Sequence, residues 1–381
     1  MNLFYYQKTK QYIAQAAGGF EPLAEAELKA LGAFQIMSGF RCVYFSAEPQ
    51  DLYRINYKSR LITRVLAPLV KFTCNHQNDI YLAGKSIDWE ALFSISNTFG
   101  IFANVSGNNN IRNSQFAALR LKDAIVDTFR ASSGKRPNVD TQSPDVWFNI
   151  HIEKDKGTIS MDTSGGSLHR RGYRKNSVLA PMQETVAAAI VDLTGWDGET
   201  PLYDPLCGSG TLLCEALLKY SRIPAGFLKD SFGFSFLPDF DNHLWEGVKK
   251  ESDQEIIPLP AGLISGSDKD KTAVKAAKGN IRLLPGGDAV AIFPKDLKDI
   301  TQLEKATIVC NPPYGIRLTG DELGPFYKEF GDFLKQRCKG STAYIYFGNR
   351  ENIKKIGLKP SWKKPLNNAG LDGRLVQYEM Y

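Results

Sequence analysis

Asp204-Pro205-Leu206-Cys207-Gly208-Ser209-Gly210-Thr211 is the stretch whose reading decides the fold. Leu202–Asp204 reads as the end of a strand, and helical spacing begins at Leu212. A glycine-rich turn from strand to helix lets the backbone approach a ligand closely, and the helix N-terminus favours a carboxylate or phosphate. A nucleoside-triphosphate loop needs Gly-Lys-Ser/Thr, which is absent, and a dinucleotide fingerprint needs a third glycine where Leu213 stands. S-adenosylmethionine remains. The loop then passes under its methionine part, with Asp204 near the ammonium group and Pro205, Cys207, Gly208, Ser209, Gly210 and Thr211 forming the turn.

Working outward, strands are predicted at Leu202–Asp204, Leu263–Asp268, Ala289–Phe293, Ala306–Cys310 and Ala343–Phe347, with helices in the gaps. This alternation predicts an α/β fold built on a parallel sheet with helices on both faces. Asp268 stands at a strand's C-terminal end, where a carboxylate can accept hydrogen bonds from both ribose hydroxyls. Asp296, after the following strand, is a candidate acceptor for the adenine amino group.

The second decisive string is Asn311-Pro312-Pro313-Tyr314-Gly315, after the strand Ala306–Cys310. An amino group conjugated to a base ring is a poor nucleophile because its lone pair is delocalised. Two acceptors aimed at its hydrogens localise that pair, and the Asn311 side-chain oxygen and the Pro312 carbonyl suit the task. Paired prolines hold both acceptors in place, and Tyr314 can stack on a flipped base. Asn311, Pro312, Pro313 and Tyr314 are therefore the candidate catalytic residues. A plain Pro-rich turn is the bland alternative. The loop accepts adenine N6 as readily as guanine N2.

Three regions separate by pattern: 1–50, 51–164 and 165–381. The first reads as strand, helix over Phe20–Leu31 and two strands, about half of a ferredoxin-like unit. In the second, Leu52–Leu61 reads as a helix and Val65–Phe72 as a strand, which Pro68 places at a sheet edge. Gln115–Arg130 reads as a helix capped by Ser114, and a hairpin is centred on Lys156-Gly157. Ser164-Gly165-Gly166-Ser167 reads as a flexible junction.

Bulk properties constrain the partners. A net charge of +6 is compatible with nucleic acid without demanding it. The six cysteines form no C-x-x-C pair and the four histidines are scattered, so neither a metal site nor a disulfide framework is expected. The start of the chain lacks the pattern of a signal peptide, and no stretch is apolar enough to span a membrane. A cytoplasmic protein with reduced thiols is the expectation.

The chain resembles the THUMP-domain class I methyltransferases that make N2-methylguanine in the large ribosomal RNA. The likeness rests on the two strings above and on four others. Ile111-Arg112-Asn113-Ser114-Gln115 and Arg136-Pro137-Asn138-Val139-Asp140 are similar to the THUMP region. Leu168-His169-Arg170-Arg171-Gly172-Tyr173-Arg174 is similar to the domain junction, and Ala180-Pro181-Met182-Gln183-Glu184-Thr185 to the first helix of the catalytic domain. The resemblance implies a seven-stranded Rossmann-like methyltransferase domain behind α+β ferredoxin-like and THUMP modules. It also implies that Pro181 and Thr185 border the cofactor, and that the substrate is an unpaired guanine of 23S ribosomal RNA. Some family members are fused to a second methyltransferase; this chain ends at Tyr381, so that activity is expected to be absent. Ile316 stands where the family often has an acidic residue.

Arg170, Arg171, Tyr173 and Arg174 combine cations with an aromatic ring, as phosphate contact and base stacking require. They are candidate RNA-binding residues together with Arg112 and Asn113. Two rival functions stay open: an adenine-N6 methyltransferase acting on RNA or DNA, and a non-catalytic RNA-binding protein with a degenerate enzyme domain.

Overall fold

The computed structural model describes residues 3–176, 182–313, 320–366 and 372–381. The chain divides into two compact units. The first holds Met1–Ala16, Ala24–Leu168 and Lys229–Lys250; the second holds Ala17–Leu23, His169–Leu228 and Glu251–Tyr381.

In the first unit a short helix α1 (Tyr5–Thr9) leads into β1 (Gln11–Ala16), α2 (Glu21–Ala30), β2 (Phe34–Gly39) and β3 (Cys42–Ser46). Next come α3 (Pro49–Lys58) and the long β4 (Ile62–Thr73). The order β2-β3-β1-β4 completes a ferredoxin-like unit, so the helix and strand read in the second region supply its missing half. The chain continues through α4 (Gln77–Lys85), β5 (Thr98–Ser106), α5 (Ser114–Ser133), β6 (Asn138–Val139), β7 (Val146–Glu153) and β8 (Lys156–Asp162). All eight strands form one sheet, β2-β3-β1-β4-β8-β7-β5-β6.

Three local expectations are corrected here. Pro68 is not on an edge: β4 lies between β1 and β8, and the register shifts between Pro68 and Val70. A bulge excuses a strand proline from the ladder bond it cannot make. The cap of α5 is Asn113, not Ser114; its side chain accepts from the N–H groups of Gln115 at 2.8 Å and Phe116 at 3.3 Å. The β7–β8 hairpin turns two residues earlier than expected, at Lys154-Asp155: Glu153 pairs with Lys156, and Lys154 takes the left-handed conformation.

The Ser164–Ser167 stretch is also less free than its composition suggests. Ser164 is fully buried, donates to Asn56 Oδ1 at 2.9 Å and accepts from the N–H of Val65 at 2.8 Å. A Cβ on Gly165 would stand 2.8 Å from the Gly233 nitrogen, so only glycine fits there.

The second unit runs through α6 (Glu184–Leu193), β9 (Leu202–Asp204) and α7 (Thr211–Tyr220). Helix α8 (Asn242–Gln254) follows, its Asn242–Lys250 part belonging to the first unit. Then come β10 (Ile264–Asp268), α9 (Lys271–Ile281), β11 (Ala291–Pro294), β12 (Thr307–Cys310), α10 (Gly320–Arg337), β13 (Thr342–Phe347), β14 (Trp362–Pro365) and β15 (Arg374–Glu379). Its seven-stranded sheet has the order β11-β10-β9-β12-β13-β15-β14. Strands β9 to β13 run parallel to one another, as the alternation predicted, whereas β15 is antiparallel to both β13 and β14. Ile308, Cys310, Tyr327, Phe330, Phe347 and Tyr378 anchor the core on one side of this sheet.

The segment Lys229–Lys250 packs far from its sequence neighbours. Phe234 lies 4.6 Å from the Tyr53 ring, and Trp245 lies 5.3 Å from Tyr57 and 5.5 Å from Phe232. Each such pair contributes about 0.5–1.5 kcal/mol beyond the area it buries. A fragment beginning at Gly166 keeps Phe232, Phe234 and Trp245 but loses Tyr53 and Tyr57. It is expected to bind a hydrophobic dye and scatter light well above the full chain. A dye-silent, monomeric fragment would contradict this packing.

Candidate active site

Asp204 ends β9 with its side chain buried, and its Oδ1 accepts the N–H of Leu206 at 3.0 Å. The turn is then stitched to β10. The Cys207 N–H donates to the Ser267 carbonyl at 2.9 Å, and the Gly208 N–H donates to Asp268 Oδ2 at 2.9 Å. Gly208 and Gly210 take φ of 53° and 83°, left-handed values that glycine reaches without strain. A Cβ on Gly210 would lie 3.1 Å from that of Ala277, so α9 closes directly over the loop. Pro205, Cys207, Ser209 and Thr211 are buried in the turn, and Thr211 opens α7.

These residues fit the cofactor expected from the sequence. Asp268 spends one carboxylate oxygen on Gly208 and the other on the N–H of Asp270 at 3.0 Å. A carboxylate offers about four acceptor sites, so room is left for a diol. Burial, with the charge of Asp268 nearby, pushes the Asp204 carboxyl well above the usual carboxylate range. An ammonium group beside Asp204 would offset that penalty.

Two predictions follow from the two carboxylates. Asp268→Ala is expected to weaken binding about ten- to a hundredfold, the cost of losing charged-acceptor hydrogen bonds. Unchanged affinity in a calorimetric titration would refute its role. For Asp204 the folded pKa lies above the unfolded one, so the carboxyl favours folding below the ordinary carboxylate range and loses that contribution as pH rises toward the raised value. Asp204→Asn is therefore expected to raise the Tm of the cofactor-free protein at pH 7 while lowering cofactor affinity. A lower Tm together with intact affinity would argue against it.

β9 lies between β10 and β12, at the point where strand order reverses. Such a crevice at the carboxyl ends of strands is where open α/β sheets bind ligands. Thr307 stands opposite Leu202 and Ile308 opposite Tyr203, so the Asn311 loop leaves the strand next to the one that carries Asp204. The Asn311 Oδ1 is buried and has no hydrogen-bond partner among the described residues. Pro312 is buried, and the Pro313 carbonyl accepts from the Tyr327 hydroxyl of α10 at 3.3 Å. Tyr314 and Ile316 lie outside the described residues, as does Pro181. Thr185 is fully buried in α6, with its hydroxyl unpaired among the described residues. Asp296 follows β11; its Oδ1 accepts the N–H of Lys298 at 3.1 Å, capping a short 3-10 turn.

The junction string is corrected. Arg171 is 2% exposed and Tyr173 1% exposed, so neither offers a surface to RNA. Both bond to one buried carboxylate: Arg171 Nε donates to Glu215 Oε1 at 3.3 Å, and the Tyr173 hydroxyl to the same oxygen at 3.0 Å. Arg174 is turned inward too, donating to the Met182 carbonyl at 2.5 Å and to Thr211 Oγ1 at 3.1 Å, and pairing with Glu184 at 3.3 Å. Buried charges need partners, and these have them. Arg170 alone of the four is exposed. In the first unit Arg112 and Asn113 are both exposed, but the Asn113 oxygen is committed to capping α5.

Sequence reading missed Glu184 and Glu215. Two acidic residues among buried helical apolar positions were the available signal. Among the described residues no group of three His, Cys, Asp or Glu side chains could hold a metal ion, and no helix is long and apolar enough to cross a membrane.

Known proteins align with this architecture along its length. The family model described as "RlmL ferredoxin-like domain" matches residues 11–66, and "THUMP domain" matches 74–162. The model "RMKL-like, methyltransferase domain" matches 171–377, more than half of the chain. A Synechocystis sp. protein described as a candidate RNA methyltransferase is 41% identical over 98% of this chain and 97% of its own length. The ribosomal RNA large subunit methyltransferase K/L of Vibrio campbellii is 37% identical over 97% of this chain, which spans about half (53%) of that relative. Among solved structures, a methyltransferase candidate complexed with SAH superposes with a TM-score of 0.83 at 27% identity, covering 97% of this chain and 98% of that one. A Listeria monocytogenes protein described as a predicted N6-adenine-specific DNA methylase gives 0.84 at 27% identity, covering 100% and 99%. With this extent of match, the chain belongs to the RMKL-like methyltransferase family.

Proposed function

We propose that the protein transfers a methyl group from S-adenosylmethionine to the exocyclic N2 amino group of a guanine in 23S ribosomal RNA. The observation that carries the reading is the buried Asn311 Oδ1 at the switch point of the sheet, unpaired among the described residues. Leaving a buried acceptor unsatisfied costs about 1–3 kcal/mol, a cost that an incoming amino group would relieve.

S-adenosylmethionine supplies an electrophilic methyl group on a sulfonium. The chain's residues do the rest. Asp204 faces the ammonium end, the Cys207–Thr211 turn passes beneath it, and Asp268 takes the ribose hydroxyls. Asp296 is assigned the adenine end, and Pro181 and Thr185 border the cofactor. Asn311 Oδ1 and the Pro312 carbonyl accept the hydrogens of the target amine and localise its lone pair. Tyr314 stacks on the extruded base. No strong base is needed, because a methylated conjugated amine sheds its proton readily to water. The ferredoxin-like and THUMP modules grip RNA away from the target base, an assignment in which Arg112 keeps the exposure to take part; in the second unit Arg170 is exposed as well.

The description of the Listeria relative keeps an adenine-N6 reading in view, because both amines are conjugated. RNA is favoured over DNA by the THUMP match and by the descriptions of the Synechocystis and Vibrio relatives. The test offers methyl-labelled cofactor with deproteinised ribosomal RNA or with duplex DNA. Label is expected in the large-subunit RNA; label in DNA alone would overturn the proposal.

A further inference from the structure

The Gly208–Thr211 turn depends on a side chain outside the turn and outside both strands that flank it. Asn280 is in the last turn of α9 and only 1% exposed. Its amide is fully engaged. The Nδ2 group donates to the Ser209 carbonyl at 3.1 Å and to the Asn176 carbonyl at 2.8 Å. Its Oδ1 accepts from the N–H groups of Lys175 at 3.1 Å and Asn176 at 3.0 Å. These four bonds use both donors and both lone pairs of the amide. One end of the clamp is the cofactor turn; the other is the backbone just after Arg174, which itself reaches Thr211 Oγ1 at 3.1 Å.

The fit extends along the helix. Ala277, three residues earlier and so on the same face of α9, takes up the space beside Gly210. A Cβ on Gly279 would stand 3.0 Å from Asn176 Nδ2. Small residues therefore bring α9 close enough for Asn280 to reach two backbone segments at once. The amide has no spare bond for a ligand, so it does not bind cofactor directly.

We infer that Asn280 is a positioning residue: it fixes the Ser209 carbonyl and the 175–176 backbone so that the turn is preorganised for S-adenosylmethionine. The inference rests on the assignment of Asp204–Thr211 as the cofactor loop. Preorganisation predicts an effect on binding rather than on chemistry once the cofactor is bound. Asn280→Asp tests it with little change of shape, replacing the two donated bonds by an oxygen facing two carbonyls. Asn280→Ser serves as the second variant should the aspartate fail to fold.

The experiment measures the Kd for S-adenosylhomocysteine by calorimetry, the KM for S-adenosylmethionine, kcat and Tm on the full chain. The reference is Ser341→Ala, which removes a buried hydroxyl that donates to the Leu303 carbonyl at 2.9 Å and accepts from the Ala306 N–H at 3.0 Å. Both Asn280 variants are expected to raise Kd and KM about ten- to fiftyfold, as loss of two or more hydrogen bonds implies. Their kcat at saturating cofactor should stay within about threefold. Ser341→Ala should lower Tm without moving Kd. An Asn280 variant with lowered Tm and wild-type Kd would overturn the inference and leave Asn280 as fold support. Wild-type protein that binds no S-adenosylhomocysteine would instead overturn the cofactor loop itself.

Discussion

Asn311→Ala is expected to lower the methyl-transfer rate by about a hundred- to a thousandfold, the cost of removing one preorganised polar group from a reacting centre. Cofactor affinity should not change, because the proposed cofactor contacts lie on Asp204–Thr211 and Asp268. Stability supplies a second readout. An asparagine retained for packing or hydrogen bonding costs stability when truncated. The Asn311 Oδ1 has no partner to lose among the described residues, so its removal relieves an unpaid desolvation cost. The alanine variant should therefore unfold at the wild-type denaturant concentration or above it. An active variant would overturn the mechanism, and an inactive variant of much lower stability would make Asn311 a structural residue.

The second large effect concerns Arg171. Its guanidinium and the Tyr173 hydroxyl share Glu215 Oε1 in a region closed to solvent. Arg171→Met leaves a buried carboxylate without its cation, a loss of about 3–5 kcal/mol in known cases. Urea denaturation of the single variant should show a fall of that size. Adding Glu215→Leu removes the orphaned charge and should recover most of it, since the partners of a buried pair are strongly non-additive. Tyr173→Phe loses one hydrogen bond and should cost about 1.5–3 kcal/mol. A stable Arg171→Met protein with weakened RNA binding would restore the surface role that the string's composition suggested.

That contrast shows what was legible in the sequence. The Asp204–Thr211 turn and the Asn311–Pro313 loop are contiguous strings whose backbone demands are written locally: glycine where φ is positive, proline where the chain must be stiff. The strand that leads into the Asn311 loop carries a β-branched run, Thr307-Ile308-Val309. The destination of Arg171 is not written locally, because its partner Glu215 lies 44 residues away on α7. A basic string with an aromatic residue reads alike whether it faces phosphate or a buried carboxylate. β14 escaped for a related reason: Trp-Lys-Lys-Pro is short and mostly exposed, with the lysines and proline that guard a sheet edge. Pro68 misled in the opposite direction, since a bulge permits a proline in an interior strand and bulges leave little trace in sequence. The allocation of Lys229–Lys250 to the first unit depends on Tyr53 and Tyr57, far upstream, and no local pattern announces it.

Asn280 had a visible but quiet signal. With Ala273 and Ala277 it falls on one face of α9, a polar residue within an otherwise small and apolar stripe. A buried amide in that position must find partners, and the partners it finds are the backbone of the cofactor turn and of residues 175–176.

The identity of the methylated group decides the proposed function. Deproteinised large-subunit RNA lacking the modification is incubated with the full chain and S-adenosylmethionine, digested to nucleosides and resolved by mass spectrometry against standards. N2-methylguanosine is expected, lost when Asn311 is replaced by alanine; N6-methyladenosine as the sole new product would overturn the guanine assignment.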